Sequence, residues 1–238
     1  MIVLVSFICS TILLCIFPAI ALSDVIVHDM VVPQGEEVML RAETRGKILS
    51  KGGELVEFFV DGKSIGKTLS GGDGFAFRQF TPIKTGLYRI TVTVKSGVGE
   101  GNGLLLSLKK GTKIVFVDVE GSLLKKPFSK EPKQGSQKAI KEFNRSFPVV
   151  FLQTGFIGVK ALKTWLKEYK FIELPVIPWK QGALFDDIHE KGFKIKAIIG
   201  SGAVIESAKG YKPLAFSFEG VEDAKEVKDW EEIGKKLK

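Results

Sequence analysis

The stretch Lys113-Ile-Val-Phe-Val-Asp118-Val-Glu120-Gly121-Ser122-Leu123 limits the fold of this chain more than any other. Ile114 to Val117 is apolar without alternation, so neither face of the segment is suited to water. Such a run specifies a strand buried on both sides, the kind found in a parallel sheet covered by helices. Ligands of open α/β sheets bind beyond the carboxyl ends of the strands. Asp118 therefore stands where chemistry is usually placed, and Gly121 permits a sharp turn behind it. The chain keeps this rhythm to its end. Strand-like runs at Val149–Leu152, Phe171–Leu174, Ala197–Ile199 and Leu214–Phe218 alternate with helical spacings at Ile140/Phe143/Phe147 and Val159/Leu162/Leu166/Tyr169. Val221, Ala224, Val227 and Leu237 fit a closing amphipathic helix. Residues 111–238 are expected to form a three-layer α/β domain with a parallel sheet.

The preceding residues follow a period of two. Val25–Val27, Val38–Leu40, Leu55–Val60, Phe75–Phe77 and Leu87–Val94 alternate, with turn signals at Pro33-Gln-Gly35, Asp61-Gly62, Gly71-Gly-Asp-Gly74 and Thr85-Gly86. Asp-Gly between apolar runs is a strong hairpin signal. Ser96–Gly103 reads as a loop, Leu104–Leu108 as a last strand, and Lys109-Lys-Gly111 as the boundary. An all-β sandwich over residues 23–110 follows. Phe59-Val-Asp-Gly-Lys63, Gly72-Asp-Gly-Phe75 and Gly86-Leu-Tyr-Arg-Ile-Thr-Val92 resemble bacterial immunoglobulin-like domains. Asp61 and Asp73 read as turn formers rather than calcium ligands, because no dense series of acids accompanies them.

Residues 1–22 read as an export signal: Ile2 to Ala21 is almost wholly apolar, and Ala19-Ile-Ala21 fits a small-x-small cleavage site. Met1 to Leu22 holds no Lys or Arg, so residues 2–21 acting as an uncleaved membrane anchor is the alternative. Export places the protein in the periplasm or outside the cell. Both cysteines, Cys9 and Cys15, lie in this segment, leaving a cleaved chain without disulfide or thiol chemistry. The net charge of +8 admits nucleic acid as a partner. The lysines are scattered, however, and Lys160, Lys163, Lys167 and Lys170 read as one solvated helix face, which argues against it. His28 and His189 are the only histidines, and no Gly-x-Ser-x-Gly elbow is present for a serine triad.

Asp118-Val-Glu120-Gly-Ser-Leu123 resembles the first motif of the haloacid dehalogenase (HAD) superfamily, Asp-x-Asp-Gly-Thr/Ser-Leu. The resemblance implies Asp118 as the nucleophile that becomes an aspartyl-phosphate and Glu120 as general acid/base. The longer Glu side chain displaces the carboxyl, and misplacement on the ångström scale can cost about 100-fold in rate. Val149-Val-Phe-Leu-Gln-Thr154-Gly155 is similar to the second motif and implies that Thr154 and Gly155 bind phosphate. Lys180 is the candidate for the third-motif cation. The fourth motif departs from the family: Lys196-Ala-Ile-Ile-Gly-Ser201-Gly-Ala-Val-Ile205 keeps the frame but carries Ser201 and Ile205 where metal-binding acids belong, and Glu206 is one residue off, about 100° around a helix. Asp118 and Glu120 remain as the only acids for Mg²⁺, which needs carboxylate charge in octahedral geometry. The expectation is an exported HAD-like protein with a degraded metal site. It would be a non-catalytic or weakly active module for a phosphorylated or anionic small ligand, or for an envelope protein partner. An active Mg²⁺-dependent phosphohydrolase using Asp118, Glu120, Thr154 and Lys180 is the alternative, and a surface structural protein a third reading.

Overall fold

A computed structural model describes residues 24–46, 52–95, 99–126 and 129–237. The export segment, residues 1–22, lies outside the described residues. Among these residues no helix is long and apolar enough to cross a membrane.

Eight strands form the N-terminal part: β1 (Asp24–Val27), β2 (Met30–Pro33), β3 (Val38–Arg45), β4 (Leu55–Val60), β5 (Lys63–Leu69), β6 (Phe75–Phe80), β7 (Gly86–Val94) and β8 (Glu100–Leu108). They make a three-stranded sheet, β1-β3-β6, and a five-stranded sheet, β2-β8-β7-β4-β5. Alternation sends Val25, Val27, Leu40, Ala42 and Ala76 inward from one sheet against Val56, Phe58, Ile90, Val92 and Leu105 from the other. Asp61 and Gly62, at φ 47° and 79°, make the two-residue turn of the β4–β5 hairpin. The Asp61 carboxylate accepts from Arg89 N at 2.9 Å and that of Asp73 from Phe75 N at 3.0 Å, so both acids serve turns.

The Gly-rich stretch expected as a loop is strand from Glu100 onward; residues 96–98 lie outside the described residues. Its glycines answer to packing. A Cβ on Gly103 would sit 2.5 Å from Val27 Cγ1, and one on Gly101 would collide with the Val25 carbonyl oxygen. β1 thus crosses β8 at a separation only glycine allows.

The C-terminal part contains β9 (Lys113–Asp118), a single π-helical turn (Val119–Leu123), α1 (Ser136–Ser146), β10 (Val149–Gln153), α2 (Val159–Glu168), β11 (Val176–Pro178), α3 (Ala183–Glu190), β12 (Lys194–Ile199), α4 (Gly202–Ser207), β13 (Leu214–Ser217), β14 (Lys225–Glu226) and α5 (Trp230–Leu237). The six strands run parallel in the order β11-β10-β9-β12-β13-β14. This is a doubly wound order, with the chain reversing direction between β9 and β12. Odd residues of β9, Val115 and Val117, face α1, α2 and α5, whereas Ile114 and Phe116 face α3 and α4. Burial on both faces is why β9 reads as a continuous apolar run.

Two elements differ from the sequence expectation. Phe171–Leu174 is not a strand. Lys170 turns into the left-handed region at φ 56° and Phe171 N still bonds Leu166 O at the end of α2, so pairing with β10 begins only where Pro175 O accepts from Phe151 N and Val176 opens β11. Phe171 is apolar because its ring packs on Phe151 and Trp165. The closing helix begins only at Trp230. Asp229 accepts from Glu232 N at 2.9 Å while the Glu232 carboxylate accepts from Lys228 N at 3.0 Å, a box-like cap that fixes the start. Val221 and Ala224 belong to the turn before β14.

The two parts share an apolar core. Val31, Leu106 and Leu108 of the sandwich pack in one cluster with Ile114, Phe116, Leu184 and Ile188. Polar contacts reinforce the junction. Asp29, between β1 and β2, accepts from Leu104 N at 2.8 Å, Val176 N at 2.7 Å and Lys163 Nζ at 2.5 Å. Lys160 pairs with Asp24 at 2.8 Å, and Arg89 with Glu173 at 2.8 Å. The α2 lysines read as a solvated face therefore include two, Lys160 and Lys163, that dock the sandwich.

Candidate functional site

The reversal between β9 and β12 opens a crevice at the carboxyl edge of the sheet, and Asp118 ends β9 inside it. The side chain is 0 % exposed, and both of its oxygens are occupied. Oδ1 accepts from Thr154 Oγ1 at 2.6 Å and from Gly121 N at 3.0 Å; Oδ2 accepts from Ser201 Oγ at 2.8 Å and Ser201 N at 3.2 Å. Thr154 follows β10 and Ser201 follows β12, so the carboxylate ties the ends of three adjacent strands together. Ser122 Oγ donates to the Asp118 carbonyl at 2.5 Å and closes the π turn. Single π turns concentrate at functional positions. Glycines admit this closeness: a Cβ on Gly200 would lie 2.6 Å from Asp118 Cβ, and one on Gly121 would overlap Oδ2.

Glu120 points the other way along the same edge. Its Oε2 accepts from Gly155 N at 2.5 Å and its Oε1 from Ile157 N at 3.2 Å. Gln153 Nε2 adds a bond to Gly155 O at 2.8 Å. The loop after β10 is thereby held on both sides of Phe156, whose side chain stands 98 % exposed. Sequence reading passed over Phe156; an aromatic flanked by Gly155 and Gly158 in a loop, rather than in either apolar run, was the available signal.

The structure brings Asp118, Glu120, Thr154, Gly155 and Ser201 together and leaves Lys180 apart. Lys180 lines a cavity of about 350 Å³ against the sandwich, with Asp29 and Asp187, on the far side of β11. Burial lowers the His28 pKa, with Arg41 next; Glu43 opposes the shift, and the charges of Lys180 and Lys163 add to it. Ile205 is buried in the core beside Val204 and Phe116, and Glu206 is exposed toward Lys209. Thr154 and Gly155, expected to hold phosphate, donate instead to Asp118 and Glu120. Asp186 accepts from the Tyr211 hydroxyl, and Asp187 pairs with Lys191 at 2.7 Å.

The residues present do not fit Mg²⁺. A hard cation needs several anionic oxygens with free lone pairs, and Ser201 covers Asp118 Oδ2 with two donors. Among the described residues no group of three or more His, Cys, Asp or Glu side chains could hold a metal. The arrangement is also poorly suited to nucleophilic attack: a carboxylate oxygen accepting two charge-assisted hydrogen bonds, one of them short, is stabilised in its ground state.

No protein family matches this chain, and no curated protein does. Solved structures are similar over the N-terminal third. A CARDB domain from Pyrococcus furiosus is 18% identical with a TM-score of 0.28, covering 37% of this chain and 94% of its own. The D00-D0 domain of intimin is 13% identical with a TM-score of 0.31, covering 36% and 46%. Fibronectin(III)-like modules of Clostridium thermocellum CbhA are 15% identical with a TM-score of 0.28, covering 37% and 48%. Scores this low carry no argument about function, and the sandwich rests on its own strand pairing.

Proposed function

We propose that this chain is an exported, non-catalytic binding module in which a HAD-like domain has converted its nucleophile position into a structural hub. The observation that supports it is the occupancy of the crevice. The four carboxylate oxygens of Asp118 and Glu120 accept six hydrogen bonds from protein donors. The donors that a phosphate would use, Thr154, Gly155 and Ser201, are the ones so engaged. Among the described residues no cation pairs with these two carboxylates, so this edge repels a phosphorylated ligand and a protein partner suits it better. Phe156 is the natural contact, because a rigidly presented aromatic loses little entropy when it enters an apolar pocket.

Hydrolysis of p-nitrophenyl phosphate by the full chain, with and without Mg²⁺ and beside Asp118→Asn, tests the reading. The rate is expected to match between the two proteins and to ignore the metal. Mg²⁺-dependent turnover that vanishes in Asp118→Asn would establish the phosphohydrolase instead.

A further inference from the structure

The amino edge of the parallel sheet, opposite Asp118, carries a second concavity. Lys113 opens β9, Lys194 and Lys196 lie at the start of β12, and Lys212 stands before β13. With His189 and Tyr211 they line a cavity of about 530 Å³ that no acidic residue lines. The volume falls in the range of small-ligand sites. Among the described residues none of these four lysines forms an ion pair, whereas Lys191 and Lys209 nearby do. Asp186 accepts from the Tyr211 hydroxyl, and the Tyr211 ring lies 5.2 Å from that of His189. The lysines come from three separate stretches of chain, so only the fold collects them.

Two backbone irregularities put lysines at this rim. β12 pairs with β9 through Ile195↔Ile114 and Ala197↔Val115, leaving Lys196 as the extra residue of a bulge. Bulges redirect the side chain they carry. Lys196 Nζ rests 5.2 Å from the centre of the Phe147 ring. Lys212 holds φ 50°, the left-handed region that disfavours any residue with a Cβ. This is the left-handed cap that closes the short turn Lys209–Tyr211, and it sets Lys212 at the rim. Four lysines lining one concavity gather like charge there, and a multivalent anion offsets that repulsion.

We infer that this cavity binds a compact polyanion carrying two or more phosphate or sulfate groups. The site is remote from the Asp118 crevice and stands whether or not that crevice is catalytic. Calorimetric titration of the full chain with inorganic tripolyphosphate tests it. Saturable one-to-one binding is expected, weakening with added salt. It should fall about tenfold in Lys196→Gln and in Lys212→Gly, because a hydrogen bond to a charged group contributes at least that factor. Lys212→Gly separates binding from folding: glycine relieves the left-handed backbone, so the thermal midpoint should hold or rise while affinity drops. Lys138→Gln, on the exposed face of α1, should bind as the native chain does. Inorganic sulfate should bind more weakly than tripolyphosphate. Absence of saturable binding, equal affinity in the native and both cavity variants, or equal affinity for sulfate would each overturn the inference.

Discussion

Replacing Asp29 by alanine should uncouple the sandwich from the α/β sheet. The side chain is fully buried and holds one donor from each part, Leu104 N and Val176 N, together with the Lys163 ammonium. The substitution leaves two buried backbone N–H groups without acceptors, at about 1–3 kcal/mol each. Lys163, at 27% side-chain exposure, can turn to water and adds little. Relief of the buried charge offsets part of the loss, since burial raises the Asp29 pKa despite Lys163 and the backbone bonds. The net expectation is about 3–5 kcal/mol, most of it from the two orphaned N–H groups. That corresponds to a fall of about 6–20 °C in thermal midpoint for a chain of this size. Asp24→Ala, which removes an exposed pair with Lys160, should cost at most about 1 kcal/mol. The pH dependence has a definite sign. The folded state holds the Asp29 proton more tightly than the unfolded state, so its contribution is fully present below 3.8 and declines as pH rises through the raised folded value. The native-minus-variant difference in unfolding free energy, from urea melts across the acid range, should therefore be larger at low pH than at neutrality. A difference under about 1 kcal/mol at neutral pH, or one that grows with pH, would refute the argument.

Other consequences can be checked separately. Gly101→Ala drives a methyl into the Val25 carbonyl and should destabilise by about 1–3 kcal/mol in denaturant melts, as overpacking does. Glu120→Gln turns an amide donor toward either Gly155 N or Ile157 N; amide hydrogen exchange at one of those two residues should accelerate while that of β9 stays protected. Ser201→Asp sets a second carboxylate against Asp118, so it should lower the thermal midpoint, and Mg²⁺ should raise the midpoint of this variant but not of the native chain.

Much of this architecture was legible in the sequence because the period of each element matches its burial. β4 is alternating and one-sided, β9 and β10 are continuous and two-sided, and α1 and α2 carry spacings of three and four. Local signals misled where tertiary contact decided. Glycines mark turns by default, yet Gly101 and Gly103 serve the close approach of β1. Phe171 and Leu174 are apolar enough for a strand, but the left-handed Lys170 keeps them on the end of α2. The start of α5 was readable from Asp229 and Glu232 three residues apart. At the crevice, Asp118, Thr154 and Ser201 each follow an apolar run that becomes a strand, and the sheet order brings the three strand ends together. It could not show that each donor would be turned onto Asp118. Lys180 escaped because nothing local reveals on which side of an edge strand a loop lysine lands. Asp29 escaped because a single acid between two short strands does not announce its burial.

The thermal midpoint of Asp118→Asn bears most directly on whether Asp118 is a hub or a nucleophile. Hydroxyls of Thr154 and Ser201 can rotate to accept from the new amide, but the N–H of Gly121 and of Ser201 cannot, so one of them loses its acceptor whichever way the side chain sits. That loss, with the weaker bonds of a neutral acceptor, amounts to about 3 kcal/mol, or about 6–12 °C. A fall of that size is predicted. A midpoint unchanged or raised, the usual result of neutralising a poised catalytic carboxylate, would contradict the account.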